Sequence, residues 1–105
     1  MTAQQAVNDA FARLGAETTI WRKDDNATHR IGSVAYTAMW GVRKYATVYV
    51  SDHRQGRYGQ RVTIGQANPQ DLDVRVSTDR RLVDKLHVRA DDLYDTITKA
   101  LDEAK

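Results

Sequence analysis

Hydrophobic residues at the start of the chain recur every three or four positions, which is the pattern of an amphipathic helix. They are Ala3, Val7, Ala10, Phe11 and Leu14. Thr2 and Gln5 have the spacing of a capping box, and Gly15 is placed to end the helix. We therefore predict an N-terminal helix between Thr2 and Gly15.

Between residues 17 and 78, hydrophobic and polar residues alternate, and β-branched and aromatic residues replace helix formers. This pattern is typical of strands with one buried face. We predict strands at residues 18–23, 33–40, 42–51, 60–66 and 73–78. The segments between these strands are short, which favours antiparallel neighbours over crossover connections.

The C-terminal segment returns to helical spacing, with hydrophobic residues sharing one face from about residue 92 to residue 104. Asp91 is a candidate N-cap of this helix. Residues 79–88 fit two patterns, because their hydrophobic positions continue the helical stripe while residues 85–88 also resemble a short strand. We favour a shorter helix or a turn in this segment.

The fold class that follows is α+β, with an N-terminal helix, an antiparallel meander of four to five strands and a C-terminal helix. The chain has 105 residues, of which 41% are hydrophobic, so it can form one such domain over residues 1–105. We expect both helices to pack on the aliphatic face of the sheet. The other face of the sheet is then open.

The open face is the first candidate site, and its composition follows from the alternation within each strand. In residues 42–50 the aliphatic side chains point mostly to one side, and Arg43, Tyr45 and Tyr49 point to the other. With the same division in the other strands, the open face collects Trp21, Lys23, Arg43, Tyr45, Tyr49, Arg61 and Arg75. Aromatic rings among cations can bind single-stranded nucleic acid or an acidic protein surface. The alternatives are a solvated structural face and a homodimer interface.

The second candidate site is the loop at residues 52–61, which we predict to be a basic hairpin tip. Its candidate contact residues are His53, Arg54, Arg57, Tyr58 and Arg61. Glycines within the loop allow sharp turns, so the loop can reach toward phosphates or an acidic protein surface. The alternative is a polar loop without a partner. Histidine, arginine and tyrosine also suffice for metal-free ribonucleases, so a minimal ribonuclease is the remote alternative.

Trp40 and Gly41 separate two of the predicted strands. Because tryptophan is bulky and usually buried, we expect Trp40 to close a strand against the core and Gly41 to form a tight turn. Met39 alternates with Trp40, and we expect its side chain to touch either a helix or solvent.

Several kinds of catalytic and metal site are excluded or disfavoured, because the residue types they need are missing or lack the required spacing. The chain has no cysteine, which excludes disulfides, thiolate catalysis and cysteine-based metal sites. The three histidines, His29, His53 and His87, do not have the spacing of a metal site. We expect them to be structural or solvated, and we expect no metal and no cofactor. The sequence has neither a nucleophile elbow nor a phosphate-binding glycine motif.

The charge and hydropathy of the chain bear on its location in the cell and on the kind of partner that it binds. The net charge is +2, but residues 17–61 carry eight basic against four acidic residues. No apolar run approaches the roughly 18 residues of a membrane span, and the first residues lack a signal-peptide pattern, so we expect a cytoplasmic protein without membrane contact. We interpret the chain as a small non-enzymatic binding or regulatory protein. Its open face and basic loop would meet an anionic partner, either an acidic protein surface or nucleic acid, with a self-associating homodimer as the alternative.

Overall fold

The polypeptide folds into two helices and a sheet, in a computed structural model that describes residues 1–15, 17–21, 24 and 26–105. The elements are α1 (Ala3–Leu14), β1 (Thr19–Ile20), β2 (His29–Thr37), β3 (Arg43–Asp52), β4 (Leu72–Ser77), β5 (Leu82–Val88) and α2 (Leu93–Ala104). Within the described residues the sheet has five strands in the order β1-β2-β3-β4-β5, and each neighbouring pair is antiparallel. The predicted α+β class, with its meander between two helices, is confirmed.

α1 begins and ends where the sequence predicts. The amide of Gln5 donates to Oγ1 of Thr2 at 3.1 Å, and the amide of Thr2 donates to Oε1 of Gln5 at 2.9 Å, which completes the capping box. The last helical residue is Leu14, followed by Gly15 at a positive φ of 117°. At the other end of the helix, the capping box provides hydrogen-bond partners for two amides that have none within the helix.

The hydrophobic core lies between the two helices and one face of the sheet. Side chains from the sheet that point into it include Val34, Ala46, Val48, Val50, Leu72, Val74 and Val76. The helices contribute Val7, Phe11, Leu93 and Ile97, so α1 and α2 lie on the same, aliphatic face. Each large aliphatic side chain buried here contributes roughly 1.5–3 kcal/mol relative to leaving it in water.

Residues 82–88 form strand β5, so the helix or turn favoured from the sequence is wrong. A tight turn, in which the amide of Thr78 donates to the carbonyl of Arg81 at 3.0 Å, reverses the chain directly after β4. The following residues can then pair with the free edge of β4, which satisfies backbone groups that a short helix would leave unpaired. Pairing with β4 therefore outweighs the helical spacing in this segment.

The predicted strand at residues 60–66 is absent, and this prediction is wrong. Residues 60–63 have no regular structure, and Ile64–Gln66 form a 3₁₀ turn. Val62 and Ile64 are buried, but the amide of Val62 donates to the side chain of Gln55 and the amide of Ile64 to the carbonyl of Ala27. The alternation therefore reflects two side chains that anchor a loop on the core, without a ladder of paired strands.

The tip of the β2–β3 hairpin differs from the prediction in the position of the Trp40 side chain. Met39–Gly41 form the tight turn, which is closed by a 2.7 Å hydrogen bond from the amide of Ala38 to the carbonyl of Val42. Trp40 is 92% exposed, so the expectation that it closes a strand against the core is wrong. The reason is that neither helix covers the tip of this hairpin.

The start of α2 differs slightly from the prediction. Ala90–Asp92 form a 3₁₀ turn, and the α-helix begins at Leu93. Asp92 occupies the N-cap position in place of Asp91, and its side chain makes no capping hydrogen bond. In the described part of the chain, no helix has the length and apolar character that crossing a membrane requires.

Candidate functional site

The open face of the sheet gathers four of the seven residues predicted for it. Arg43, Tyr45 and Tyr49 alternate along β3, and Arg75 on β4 lies directly opposite Tyr49. Neither helix packs on this side, and the ring of Tyr45 is exposed. These four side chains therefore share one uncovered surface, as the alternation in the sequence predicts.

The other three residues predicted for the open face are placed differently. Trp21 follows β1 at the edge of the sheet, where its amide donates to the carbonyl of Ile31 at 2.7 Å and its side chain is exposed. Lys23 lies outside the described residues. Arg61 is not on the sheet at all, because residues 60–63 form no strand, so its assignment to this face is wrong.

The two arginines of the open face are both neutralised by acids. Arg43 forms an ion pair with Glu17, and Nε of Arg75 donates to Oδ1 of Asp84 at 2.8 Å. The hydrogen bond to Asp84 raises the pKa of the Arg75 guanidinium above its ordinary value. The open face is therefore less basic than its arginine content indicates.

One of the two tyrosine rings on this face is also engaged. The ring of Tyr49 stacks on His29, with ring centroids 4.4 Å apart and planes inclined by 19°. A base or side chain from a partner would have to compete with His29 for that face of the ring. Tyr45 therefore offers the more accessible aromatic surface.

In the basic loop, Arg54 is bound to a buried carboxylate. Its Nε lies 2.9 Å from Oδ1 of Asp52 and its Nη2 lies 3.1 Å from Oδ2, which is a bidentate pair. The Asp52 side chain is 1% exposed and also accepts the amides of Arg54 and Asn68, each at 2.7 Å. Burial raises the pKa of Asp52, but these hydrogen bonds outweigh it and leave the pKa below its ordinary value. Arg54 therefore holds the loop together.

Arg57 is likewise tied to the fold, while two other residues of the loop face solvent. Nε of Arg57 donates to the carbonyl of His53 at 2.7 Å, and its Nη2 lies 3.6 Å from Oδ2 of Asp73. Tyr58 is fully exposed, and Arg61 makes no ion pair with any described residue. Of the basic and aromatic residues predicted to contact a partner here, Tyr58 and Arg61 have the most accessible side chains.

The structure brings forward a surface at residues 39–45, which we call the hairpin end and of which the sequence predicts only Arg43 and Tyr45 as candidate contact residues. Its exposed hydrophobic side chains are Met39, Trp40, Val42 and Tyr45. Arg43 and Lys44 lie between them in the chain. The segment Met39-Trp40-Gly41-Val42 was a signal for this surface, because it places large apolar residues at a turn.

A groove of about 630 Å³ lies beside the hairpin end, toward the end of α2. Its apolar wall is formed by Tyr36, Ala38, Met39, Trp40 and Val42. Its charged rim is formed by Lys44, Asp79, Arg80 and Lys105. Three cations therefore surround an apolar wall with one acid among them.

Within this rim, Lys44 and Asp79 form a hydrogen-bonded ion pair. The hydrogen bond from Lys44 lowers the pKa of the Asp79 carboxyl, and the same bond raises the pKa of the lysine. Arg80 makes no ion pair with any residue that the structure describes, and Nζ of Lys105 lies 3.1 Å from Oδ1 of Asp102. Arg80 is therefore the most available cation of the groove.

A second group that sequence spacing did not reveal lies at the other end of β3. It is the His–Asp cluster, formed by His53, Asp71, Asp73 and His87. Nδ1 of His53 lies 2.8 Å from Oδ1 of Asp73, and Nδ1 of His87 lies 2.8 Å from Oδ1 of Asp71. The two histidines are far apart in sequence, and only the pairing of β3, β4 and β5 brings them together.

Comparisons with models of protein families, with curated proteins and with solved structures find no match for this chain. Function must therefore be inferred from the residues of the chain itself.

Proposed function

We propose that this chain is a non-enzymatic binding protein that docks an acidic, partly apolar segment of a protein partner against the hairpin end and its groove. The observation that carries the proposal is the 92% exposure of Trp40 at the tip of the hairpin. Tryptophan is among the residue types enriched at the energetic centres of protein interfaces, and an indole this exposed loses a large apolar area to a partner that covers it.

The backbone at Trp40 supports the same proposal. Its φ of 65° and ψ of 22° lie in the left-handed region, which costs a residue with a Cβ on the order of 1 kcal/mol or more. Glycine or asparagine would fit this turn without that cost. A bulky aromatic residue held in this conformation against its preference, with its side chain 92% exposed, fits a role in binding.

The charge around the groove favours an acidic partner. Arg80, which forms no ion pair with a described residue, borders the apolar wall together with Lys44 and Lys105, each of which is paired with one aspartate. A partner segment with carboxylates flanking a large apolar side chain would match both parts of this surface. The cations would also speed association at low salt by attracting that segment.

A protein partner is favoured over nucleic acid because of how the open face is arranged. Arg43 and Arg75 are paired with carboxylates, and the Tyr49 ring is stacked on His29. Phosphates and bases would have to displace these contacts. The ribonuclease alternative has less support for a similar reason, because Arg54 and Arg57 are held by Asp52 and Asp73.

The test begins with a display library of random peptides, selected on the full chain at low ionic strength. We expect enriched peptides to combine acidic residues with a large apolar residue. A synthetic copy of an enriched peptide is then titrated against two pairs of variants. Trp40→Ser should weaken binding by at least roughly tenfold, while Leu86→Ser, which alters an exposed residue of β5, should not.

The second pair of variants tests the charge. Arg80→Glu should weaken binding several-fold, and Arg61→Glu, which makes the same change on the loop away from the groove, should have little effect. Enrichment of peptides that bind Trp40→Ser as tightly as the original chain would refute the proposal. Salt-sensitive binding of single-stranded oligonucleotides in place of peptides would favour nucleic acid, and a concentration-dependent dimer by light scattering would favour self-association.

A further inference from the structure

The His–Asp cluster has an arrangement that the proposed binding role does not use. His53 follows β3, Asp71 and Asp73 flank the buried Leu72 at the start of β4, and His87 lies near the end of β5. The ring centroids of His53 and His87 are 3.9 Å apart, with planes inclined by 38°. Three neighbouring strands thus bring two imidazoles and two carboxylates to one end of the sheet, opposite to the hairpin end.

A β-bulge directs His87 into this cluster. Leu72 pairs with Val88 and Val74 pairs with Lys85, so Asp73 alone faces two residues of β5, one of which is His87. The amide of His87 donates to Oδ1 of Asp73 at 3.4 Å, and His87 has a left-handed φ of 57°. Bulges and left-handed backbone at residues other than glycine concentrate at functional sites, because they re-aim a side chain at a cost in stability.

We propose that His53, His87 and Asp71 form a binding site for one divalent transition-metal ion of the zinc class, with Asp73 as a positioning residue. One donor atom from each of the three residues lies within 4.8 Å of the other two. Two ligand atoms at the tetrahedral angle on one zinc ion are about 3.4 Å apart, because each bond is about 2.1 Å long. The donor atoms therefore need to move together by up to about 1.4 Å, which rotation about the side-chain bonds can supply.

The chemistry of the donor set selects the class of metal. Two imidazole nitrogens and one carboxylate oxygen suit Zn²⁺, Co²⁺, Ni²⁺ or Cu²⁺, whereas Mg²⁺ and Ca²⁺ favour sets made of oxygen alone. With three protein ligands the remaining coordination position is open to solvent, and the exposure of His87 leaves it accessible.

Asp73 has the place of the outer carboxylate that commonly accompanies a metal-bound histidine. Its Oδ1 lies 2.8 Å from Nδ1 of His53, which would fix Nδ1 as the protonated nitrogen and leave Nε2 free to bind a metal. Nη2 of Arg57 lies 3.6 Å from the other oxygen of Asp73, so Arg57 offsets the charge of Asp73 rather than that of Asp71. Arg54 also lies close enough to Asp71 to interact with it, but its guanidinium is paired with Asp52.

The experiment is isothermal titration of the full chain, free of any affinity tag, with ZnCl₂ near neutral pH. We expect one ion per chain and a rise in Tm of roughly 10 °C at a hundredfold excess over the dissociation constant. His53→Gln and His87→Asn should each weaken binding by at least roughly tenfold, and Asp73→Asn by about tenfold through His53. Asparagine is chosen for position 87 because it tolerates left-handed φ.

His29→Gln is the matched control, since it removes the third histidine of the chain, which lies outside the cluster and stacks on Tyr49. Its zinc affinity should equal that of the original chain, and MgCl₂ should give no binding heat. Circular dichroism of each metal-free variant separates lost binding from lost folding, and histidine ring signals in NMR report which nitrogens are bound. The proposal is overturned if the folded original chain takes up no zinc, or if the double variant His53→Gln/His87→Asn binds it equally well.

Discussion

The backbone of Gly32 in β2 lies directly against the ring of Phe11 in α1. A Cβ at position 32 would lie 2.4 Å from Cε1 of Phe11 and 2.9 Å from the carbonyl oxygen of Thr19 on the neighbouring strand. Both Phe11 and Gly32 are buried, and this contact fixes how closely α1 approaches the sheet. Glycine is required here for the close approach of two elements rather than for an unusual backbone angle.

Gly32→Ala should therefore destabilise the protein by about 2 kcal/mol, or roughly 10 °C in Tm. The ring of Phe11 can shift, but the carbonyl of Thr19 belongs to a paired strand and cannot move without breaking the β1–β2 ladder. Thermal unfolding followed by circular dichroism measures the effect. Ser33→Ala, the next position on the opposite face of β2, is the control and should change Tm by much less. An equal Tm for the two variants would contradict this account.

Local pattern predicted most of the fold because the helices and the central strands carry their own signals. α1 has a capping box and a helical apolar stripe, and β3 alternates over its whole length. The segment that became β5 carried two signals of similar strength, and the free edge of β4 decided between them. That edge exists only in the assembled sheet, so no sequence pattern within residues 79–88 can indicate it.

The strand predicted at residues 60–66 and the burial predicted for Trp40 are both wrong because tertiary contacts, rather than the local pattern, decide the outcome. Val62 and Ile64 alternate with polar residues as they would in a strand, but they anchor a loop on the core. Trp40 is large and apolar, which predicts burial, but it lies beyond the reach of both helices. The type of a residue indicates a tendency to be buried, but only the tertiary structure determines whether other residues cover its side chain.

The candidate sites were less predictable than the fold. The open face was accessible to prediction because alternation assigns each side chain to one side of the sheet, but the acids that neutralise Arg43 and Arg75 come from other segments. His53 and His87 meet only because β3 and β5 both border β4. Spacing along the chain cannot reveal such convergence.

Arg54 and Arg61 should respond very differently to removal, although the sequence places both in one basic loop. Arg54→Ala leaves the buried Asp52 carboxylate without its bidentate partner, so Tm should fall by several degrees. Arg61→Ala, which removes a guanidinium that pairs with no described residue, should leave Tm almost unchanged. Differential scanning calorimetry of the two variants measures this contrast. A Tm of Arg54→Ala equal to that of Arg61→Ala would mean that water replaces the ion pair at no cost.

Asp52 should contribute a component of stability that disappears in acid. Its folded-state pKa is lowered from 3.8, so the contribution is fully present above the unfolded-state value and is lost as pH falls through the lower folded-state value. Asp52→Asn should therefore cost about 2 kcal/mol from pH 7 to pH 5, and the cost should shrink below about pH 4. Urea unfolding of both proteins across this pH range measures the difference.

Asp84→Asn is the control for that experiment, because Asp84 also pairs with an arginine but is exposed. It should change the free energy of unfolding by less than about 0.5 kcal/mol at every pH. A cost of Asp52→Asn that stays constant down to pH 2 would contradict the assignment, since an ionised carboxylate could not then be the stabilising species.

Trp40→Gly should raise the stability of the protein while abolishing the proposed docking. Glycine adopts the φ of 65° without strain, and the lost side chain is 92% exposed, so the free energy of unfolding should increase by up to about 1 kcal/mol. Trp40→Ala separates backbone from side chain, because alanine keeps the strained φ and loses the ring. Its Tm should match that of the original chain, and both variants should lose affinity for the selected acidic peptide. A fall in Tm for Trp40→Gly would mean that the indole packs against the groove in solution, and the groove would then be filled by the chain itself rather than open to a partner.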